Sequence, residues 1–236
     1  MISSQADLPI LDKSSFIGGW QDGVAVLVDK PPGWSSFHVV RVLRSYTGIR
    51  KIGHAGTLDP MATGLLICCI GRSATRRIDH FMGLDKEYEG TLRLGETTAS
   101  YDAETPVEET RTMDHVSESD LRDVFGSFLG AQSQTPPMYS AVKVGGKRLY
   151  KLARQGEDIE RPSREITILE FSLVEKAGPD AKFSVRCSKG TYIRSLVHDL
   201  GQRLGVGAHL IALRRTAIGP YRVDSALSPE TLQAKD

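Results

Sequence analysis

The stretch Gly53-His54-Ala55-Gly56-Thr57-Leu58-Asp59-Pro60-Met61-Ala62-Thr63-Gly64 constrains this chain more than any other. Three glycines and a proline in so short a span do not suit a regular helix or strand, so an irregular loop is expected. The loop runs straight into Leu65–Ile70, an uninterrupted apolar run that reads as a buried strand. Asp59 stands inside the loop, and Pro60 biases its backbone towards extended conformations, which holds the carboxylate in one direction.

Asp59 is also electrostatically isolated. From Lys30 to Arg77 the chain carries eight basic residues and no other acid. Residues 78–120 reverse this, with twelve acids and three bases. Ala131–Arg154 holds five bases and no acid, and Lys182–Arg222 holds eight bases against Asp199 alone. The net charge of +1 therefore hides a divided surface, which suits a polyanion bound on one face. Solvated faces of separate elements would give the same pattern. Asp before Pro is also an ordinary turn opener, so spacing leaves a structural role for Asp59 open.

Coarse periodicity places the other elements. Val24–Val28 reads as a strand closed by Lys30-Pro31-Pro32-Gly33. Ser35 or Ser36 can cap a helix with the apolar face Val39, Val40, Leu43 and Tyr46, stopped by Gly48. Ser73 is expected to cap one short helix reaching about Met82; Tyr88–Leu94 alternates like a half-buried strand, and 95–116 reads as acidic loop. Ser117 opens a helix to Leu129, Met138–Val144 reads as a strand, and Arg148–Ala153 as a short basic helix. Strands at Ile166–Val174 and Lys182–Cys187, a helix from Thr191 to about Leu204 and a strand near Leu210–Ile218 complete the chain. Strands and helices mix without βαβ alternation, which predicts an α/β (α+β) fold on a mixed, largely antiparallel sheet flanked by helices.

Several classes fall away. No run approaches the roughly 18–20 apolar residues of a membrane span. Cys68, Cys69 and Cys187 are an odd set with two neighbours, which fits a reduced, cytoplasmic setting. The six histidines show no metal-ligand spacing, so neither a metal nor a cofactor is expected. Phosphate-cradling glycine motifs and the nucleophile elbow are absent, and paired-carboxylate chemistry near Asp59 would have only Asp199 to call on. One carboxylate without a cofactor suits an isomerisation within a single substrate.

Arg194, three residues into a helix after Lys189-Gly190-Thr191, could keep a carboxylate ionised, or could bind phosphate. Tyr88 and Tyr192 could stack on a splayed base, or be core tyrosines. His54 between glycines suggests close approach to a partner or a simple turn.

Six stretches then carry a resemblance from about Gly23 to Leu227. They are Leu27–Gly33, Gly53–Pro60, Asp85–Tyr88, Pro137–Lys143, Ser188–Arg194 and His209–Arg215. In this order they resemble the TruB family of tRNA pseudouridine synthases. The resemblance implies the pseudouridine synthase fold, with Asp59 as the catalytic carboxylate and Arg194 as its counter-charge. Tyr88 would stack on the flipped uracil, and His54 would hold the flipped nucleotide. Tyr192, Leu213 and Lys30 would line the pocket or support its loop. The implied substrate is uridine 55 in the T-loop of tRNA, modified without cofactor or metal; nothing in the sequence points beyond a monomer. Residues 1–22 lack periodicity, lie outside the resemblance and are expected to be a flexible N-terminal extension; the catalytic domain is expected over 23–236, with 131–157 resembling the family's mobile RNA-binding thumb. Two departures are Ala55, where many members carry Thr, and the expected lack of a C-terminal PUA domain. A non-catalytic tRNA-binding or folding module is the alternative reading, and an RNA-guided synthase a third.

Overall fold

The computed structural model describes residues 8–13, 23–140, 142–157 and 159–232. In chain order the strands and helices are β1 (Ile10–Leu11), β2 (Val24–Lys30), α1 (Ser36–Thr47), β3 (Ile52–His54), β4 (Thr63–Ile70), α2 (Arg72–Thr75), α3 (Ile78–Gly83), β5 (Lys86–Leu94), β6 (Glu96–Thr98) and β7 (Val107–Thr110). They continue with α4 (Glu118–Gly126), β8 (Gly130–Gln134), β9 (Lys143–Val144), β10 (Lys147–Arg148), α5 (Leu149–Ala153), β11 (Arg164–Ala177), β12 (Asp180–Cys187), α6 (Ile193–Arg203), β13 (Ala208–Ile218) and β14 (Tyr221–Arg222). The chain forms two compact units, Met1–Glu87 with Arg214–Asp236, and Tyr88–Leu213. It passes from one to the other within β5 and within β13.

In the first unit β4 is the central strand. One edge pairs antiparallel with β2 from Val24↔Ile70 to Lys30↔Gly64. The other edge pairs antiparallel with β3 and, at its start, parallel with β13 at Arg214↔Thr63 and Arg215↔Gly64. Alternation sends Val24, Val26, Val28, Leu66, Cys68 and Ile70 to one face, where α1 packs Val39, Val40 and Leu43. Ala25, Leu27, Leu65, Ile67 and Cys69 face the other side, against Ala74, Phe81 and Ile218. Both faces are covered, so the run Leu65–Ile70 must be apolar at every position. Helix α1 starts where the sequence places it: the Ser35 hydroxyl accepts from the His38 amide, and Gly48 closes the helix in a left-handed conformation.

In the second unit β11 pairs antiparallel with β12 and with β8, and α4 packs on β11. Phe125 and Phe128 from the α4 region meet Phe171 and Phe183 from these strands, with the closest ring centroids, Phe125 and Phe171, 4.3 Å apart. A capping box between Ser117 and Asp120 fixes the start of α4. Helix α6 buries Ile193, Leu196, Val197 and Leu200.

The fold is thus mixed α/β, with a largely antiparallel sheet flanked by helices; β1–β2 and β4–β13 pair in parallel. Local expectations need five corrections. The loop is shorter than its composition suggests, because Gly53 and His54 pair with Cys69 and Cys68 and β4 begins at Thr63. The helix after Ile70 is two pieces, and its N-cap is Gly71 rather than Ser73. The acidic 95–116 stretch contains the β6–β7 hairpin. Among the described residues of Met138–Val144 the strand is Lys143–Val144, and β8 (Gly130–Gln134) lies where no element was expected. Of the expected 1–22 extension, residues 8–13 are described, and Ile10–Leu11 within them adds a short parallel strand to β2; 1–7 and 14–22 lie outside the described residues.

Candidate active site

Asp59 is half-buried in the loop between β3 and β4, and both of its neighbours are anchored. Leu58 donates its amide to the Ser36 hydroxyl at 2.9 Å, and the same hydroxyl donates back to the Leu58 carbonyl at 3.1 Å. The Pro60 carbonyl accepts from the Gly33 amide at 2.8 Å and from Lys30 Nζ at 3.3 Å. The loop is closed by the Ala62 amide donating to the Asp59 carbonyl at 3.1 Å. Conformational entropy is thereby removed around one carboxylate while leaving it partly open to solvent.

Lys30 is fully buried on β2, where its ammonium also donates to the carbonyls of Pro31 at 2.9 Å and Trp34 at 2.7 Å. Burial lowers its pKa to about 8, with Asp59 opposing the shift and Arg215 adding to it. Arg215, 1% exposed on β13, donates from Nε to Leu65 O at 2.7 Å and from Nη2 to Gly56 O at 3.1 Å. Beside it Arg214 makes a two-pronged ion pair with Asp29, at 3.0 and 2.7 Å. His54 ends β3 half-buried; burial first, then Arg215, pulls its pKa below the ordinary value, which favours a neutral imidazole at neutral pH. In the same unit Lys51, Arg72 and Arg76 line a cleft of about 270 Å³ with Gly53 and Thr75.

The second unit builds a different constellation. Arg194 is 4% exposed on the first turn of α6. Its Nη1 donates to Ser100 O at 2.9 Å and its Nη2 to Tyr139 O at 2.8 Å, while Nε faces Asp102 at 3.4 Å. Asp102 has no exposure, and its carboxylate accepts from the Ser100 hydroxyl at 2.5 Å and the Glu104 amide at 2.9 Å. Tyr101 precedes it at φ 62°, a conformation uncommon outside glycine. Its ring stacks on His198 with centroids 3.8 Å apart. The Tyr192 backbone is clamped on both sides by the Gln134 side-chain amide, at 2.8 and 3.0 Å. Its ring carries the Arg164 guanidinium at 4.9 Å. Tyr88 and Leu213 are buried at 8% exposure, on β5 and β13.

Of the residues singled out from sequence, Lys30, His54 and Asp59 belong to the first unit and Tyr88, Tyr192, Arg194 and Leu213 to the second. The first three share one neighbourhood, with the Arg215 charge acting on Lys30 and His54. Asp102 escaped sequence reasoning because it sits among the twelve acids of 78–120, where one buried carboxylate looks like its solvated neighbours. The one local cue is Ser100 two residues earlier, a spacing at which a hydroxyl can bond the following carboxylate. Arg215 gave no separate signal beside Arg214. Only the strand alternation, which turns neighbours to opposite faces, distinguishes them.

Comparison with known proteins bears on this arrangement. The family described as TruB family pseudouridylate synthase (N terminal domain) matches residues 44–193, and tRNA pseudouridylate synthase B C-terminal domain matches 194–235. A tRNA pseudouridine synthase B from Opitutus terrae is 50% identical over 90% of this chain and 88% of its own length. One from Flavobacterium johnsoniae is 47% identical over 87% of this chain and 93% of its own. Among solved structures, a chain of a Cbf5-Nop10-Gar1 complex superposes with a TM-score of 0.65 at 33% identity. That match covers 84% of this chain but 49% of the other, so this chain spans about half the length of its solved relative.

Proposed function

The chain belongs to the TruB family of pseudouridylate synthases, and on that premise we propose that it converts uridine 55 in the T-loop of tRNA to pseudouridine, with Asp59 as the reacting carboxylate. The observation that carries this reading is the half-buried Asp59 carboxylate held between anchored Leu58 and Pro60, the only acid between Lys30 and Arg77.

The reaction breaks the bond from C1′ to N1, turns the base and joins C1′ to C5, after which the C5 proton leaves. An ionised carboxylate can begin it by adding to C6 of the ring or by drawing a proton from the sugar. Either route consumes no oxidant and no second substrate, so the proposal includes no cofactor or metal. Arg194 is given the task of keeping Asp59 ionised, a task that a buried guanidinium held by two main-chain carbonyls suits. Tyr88 is placed against the flipped uracil near C5, with Tyr192 and Leu213 completing the pocket wall. His54, favoured as neutral, holds the displaced nucleotide without adding charge. Lys30 supports the loop through Pro60. An unpaired loop base is the least costly to extrude, and the basic blocks supply phosphate contacts.

Residues 131–157 are proposed as a thumb over the RNA; Met138, Leu149 and Leu152 form a small cluster of their own there. The proposed setting is a monomer in the cytoplasm; among the described residues no helix is long and apolar enough to cross a membrane.

The test is incubation of the purified chain with a T-arm hairpin carrying labelled uridine, followed by mapping of pseudouridine. Product at position 55, abolished in Asp59→Ala with tRNA binding retained, supports the reading. An unmutated chain that binds the hairpin and forms no product is instead a binding module, or a synthase that needs a guide RNA.

A further inference from the structure

We infer that Arg215 is the positioning residue of the Asp59 loop, a buried guanidinium that ties the start of the loop to its end and so sets where the carboxylate is presented. This rests on the assignment of Asp59 above. The two bonds of Arg215 go to Gly56, where the loop leaves β3, and to Leu65, where β4 has resumed. One planar fork thus spans the base of the segment that contains Asp59. A lysine, with a single nitrogen, has no such fork.

The main chain of Arg215 is engaged as closely as its side chain. It pairs in parallel with Gly64, and a Cβ at Gly64 would lie 2.3 Å from the Arg215 carbonyl oxygen. On the opposite edge Gly64 pairs with Lys30, whose ammonium holds Pro60. Two buried cations therefore flank Gly64, Arg215 bonding the main chain on either side of Asp59 and Lys30 bonding the residue next to it. Burying a guanidinium is costly, and an apolar side chain in its place would leave the Leu65 and Gly56 carbonyls without these donors. The cation is accounted for by its geometry towards the loop. Its charge also reaches the site, since it acts on both Lys30 and His54.

The full-length chain and its Arg215→Met, Arg215→Lys and Asp59→Asn variants are to be compared on the labelled T-arm hairpin. Single-turnover rate at saturating RNA and dissociation constant are measured separately, with amide hydrogen exchange followed residue by residue. Arg215→Met is expected to lower the single-turnover rate by about 100-fold, the scale of a misplaced reacting group, with binding changed by no more than about two-fold. The Leu58 and Ala62 amides should exchange faster while those within β2 do not. Arg215→Lys should lie between Arg215→Met and the parent, and it decides the matter should Arg215→Met not fold. Native rates in the folded variants, or a rate loss matched by an equal loss of affinity, would overturn the inference while Asp59→Asn remains inactive. Activity in Asp59→Asn would instead sink the reading of the site, and the positioning role with it.

Discussion

Ser36 and Leu58 satisfy one another completely: a single hydroxyl takes the Leu58 amide and gives to the Leu58 carbonyl, both within 3.1 Å and both buried. The first turn of α1 thereby does for the loop what a strand partner does for a strand. Ser36→Ala removes a donor and an acceptor together and leaves two main-chain groups without these bonds. Stability should fall by about 1–3 kcal/mol, read as a lower urea midpoint with unchanged slope. Turnover should fall more than RNA affinity.

Asp102→Asn keeps the shape of the side chain but removes the buried charge facing Arg194. Loss of one member of a buried ion pair typically costs about 3–5 kcal/mol. Chemical denaturation should show a loss on this scale. A change below about 1 kcal/mol would mean that the pair is not held as one unit.

His54 and His198 both have pKa values pushed below 6.5, by burial first and then by Arg215 and Arg161 respectively. Between those lowered values and 6.5 the unfolded chain binds protons that the folded chain does not. Stability therefore rises with pH across that window and is lost as pH falls from 6.5 through the depressed values. Urea midpoints at a series of pH values should show this slope, and it should shrink in His54→Gln and in His198→Gln.

Gly64 sits at φ 101° with Arg215 main-chain atoms where a Cβ would go. Gly64→Ala combines strain with a clash against backbone that cannot step aside. A loss of at least about 2 kcal/mol is expected, visible as a lower thermal midpoint.

The cleft of Lys51, Arg72 and Arg76 gathers three cations in the first unit. If these meet RNA phosphates, replacing any one with Ala should weaken binding for all T-arm sequences alike. The slope of log affinity against log salt should shrink by about one for each cation removed from a phosphate. An unchanged slope in the triple variant would remove this cleft from the RNA-binding surface.

Much of this molecule is legible in its sequence. The Leu65–Ile70 run, the Ser35 cap and the Gly48 stop each encode their structure locally, through burial on two faces or a specific backbone conformation. Asp59 was legible because its isolation among cations is a property of sequence. What stayed hidden depends on partners distant in the chain. The β6–β7 hairpin is made largely of polar residues whose pairing leaves no hydrophobic alternation to read. Gly53 and His54 look like loop until Cys68 and Cys69 pair with them. Asp102 acquires its meaning only from Arg194, and Arg215 only from Leu65 and Gly56, which lie 150 and 159 positions away.

The ammonium of Lys30, wrapped by three carbonyls and with its pKa lowered by burial to about 8, has a chemical corollary. The lowered pKa leaves more of this amine unprotonated at mildly alkaline pH than an ordinary lysine would have, yet buried as it is, it meets reagents only when the carbonyls of Pro31, Trp34 and Pro60 release it. Its acylation by a small ester at mildly alkaline pH thus becomes an intrinsic clock, each modified molecule recording one opening of the segment next to Asp59.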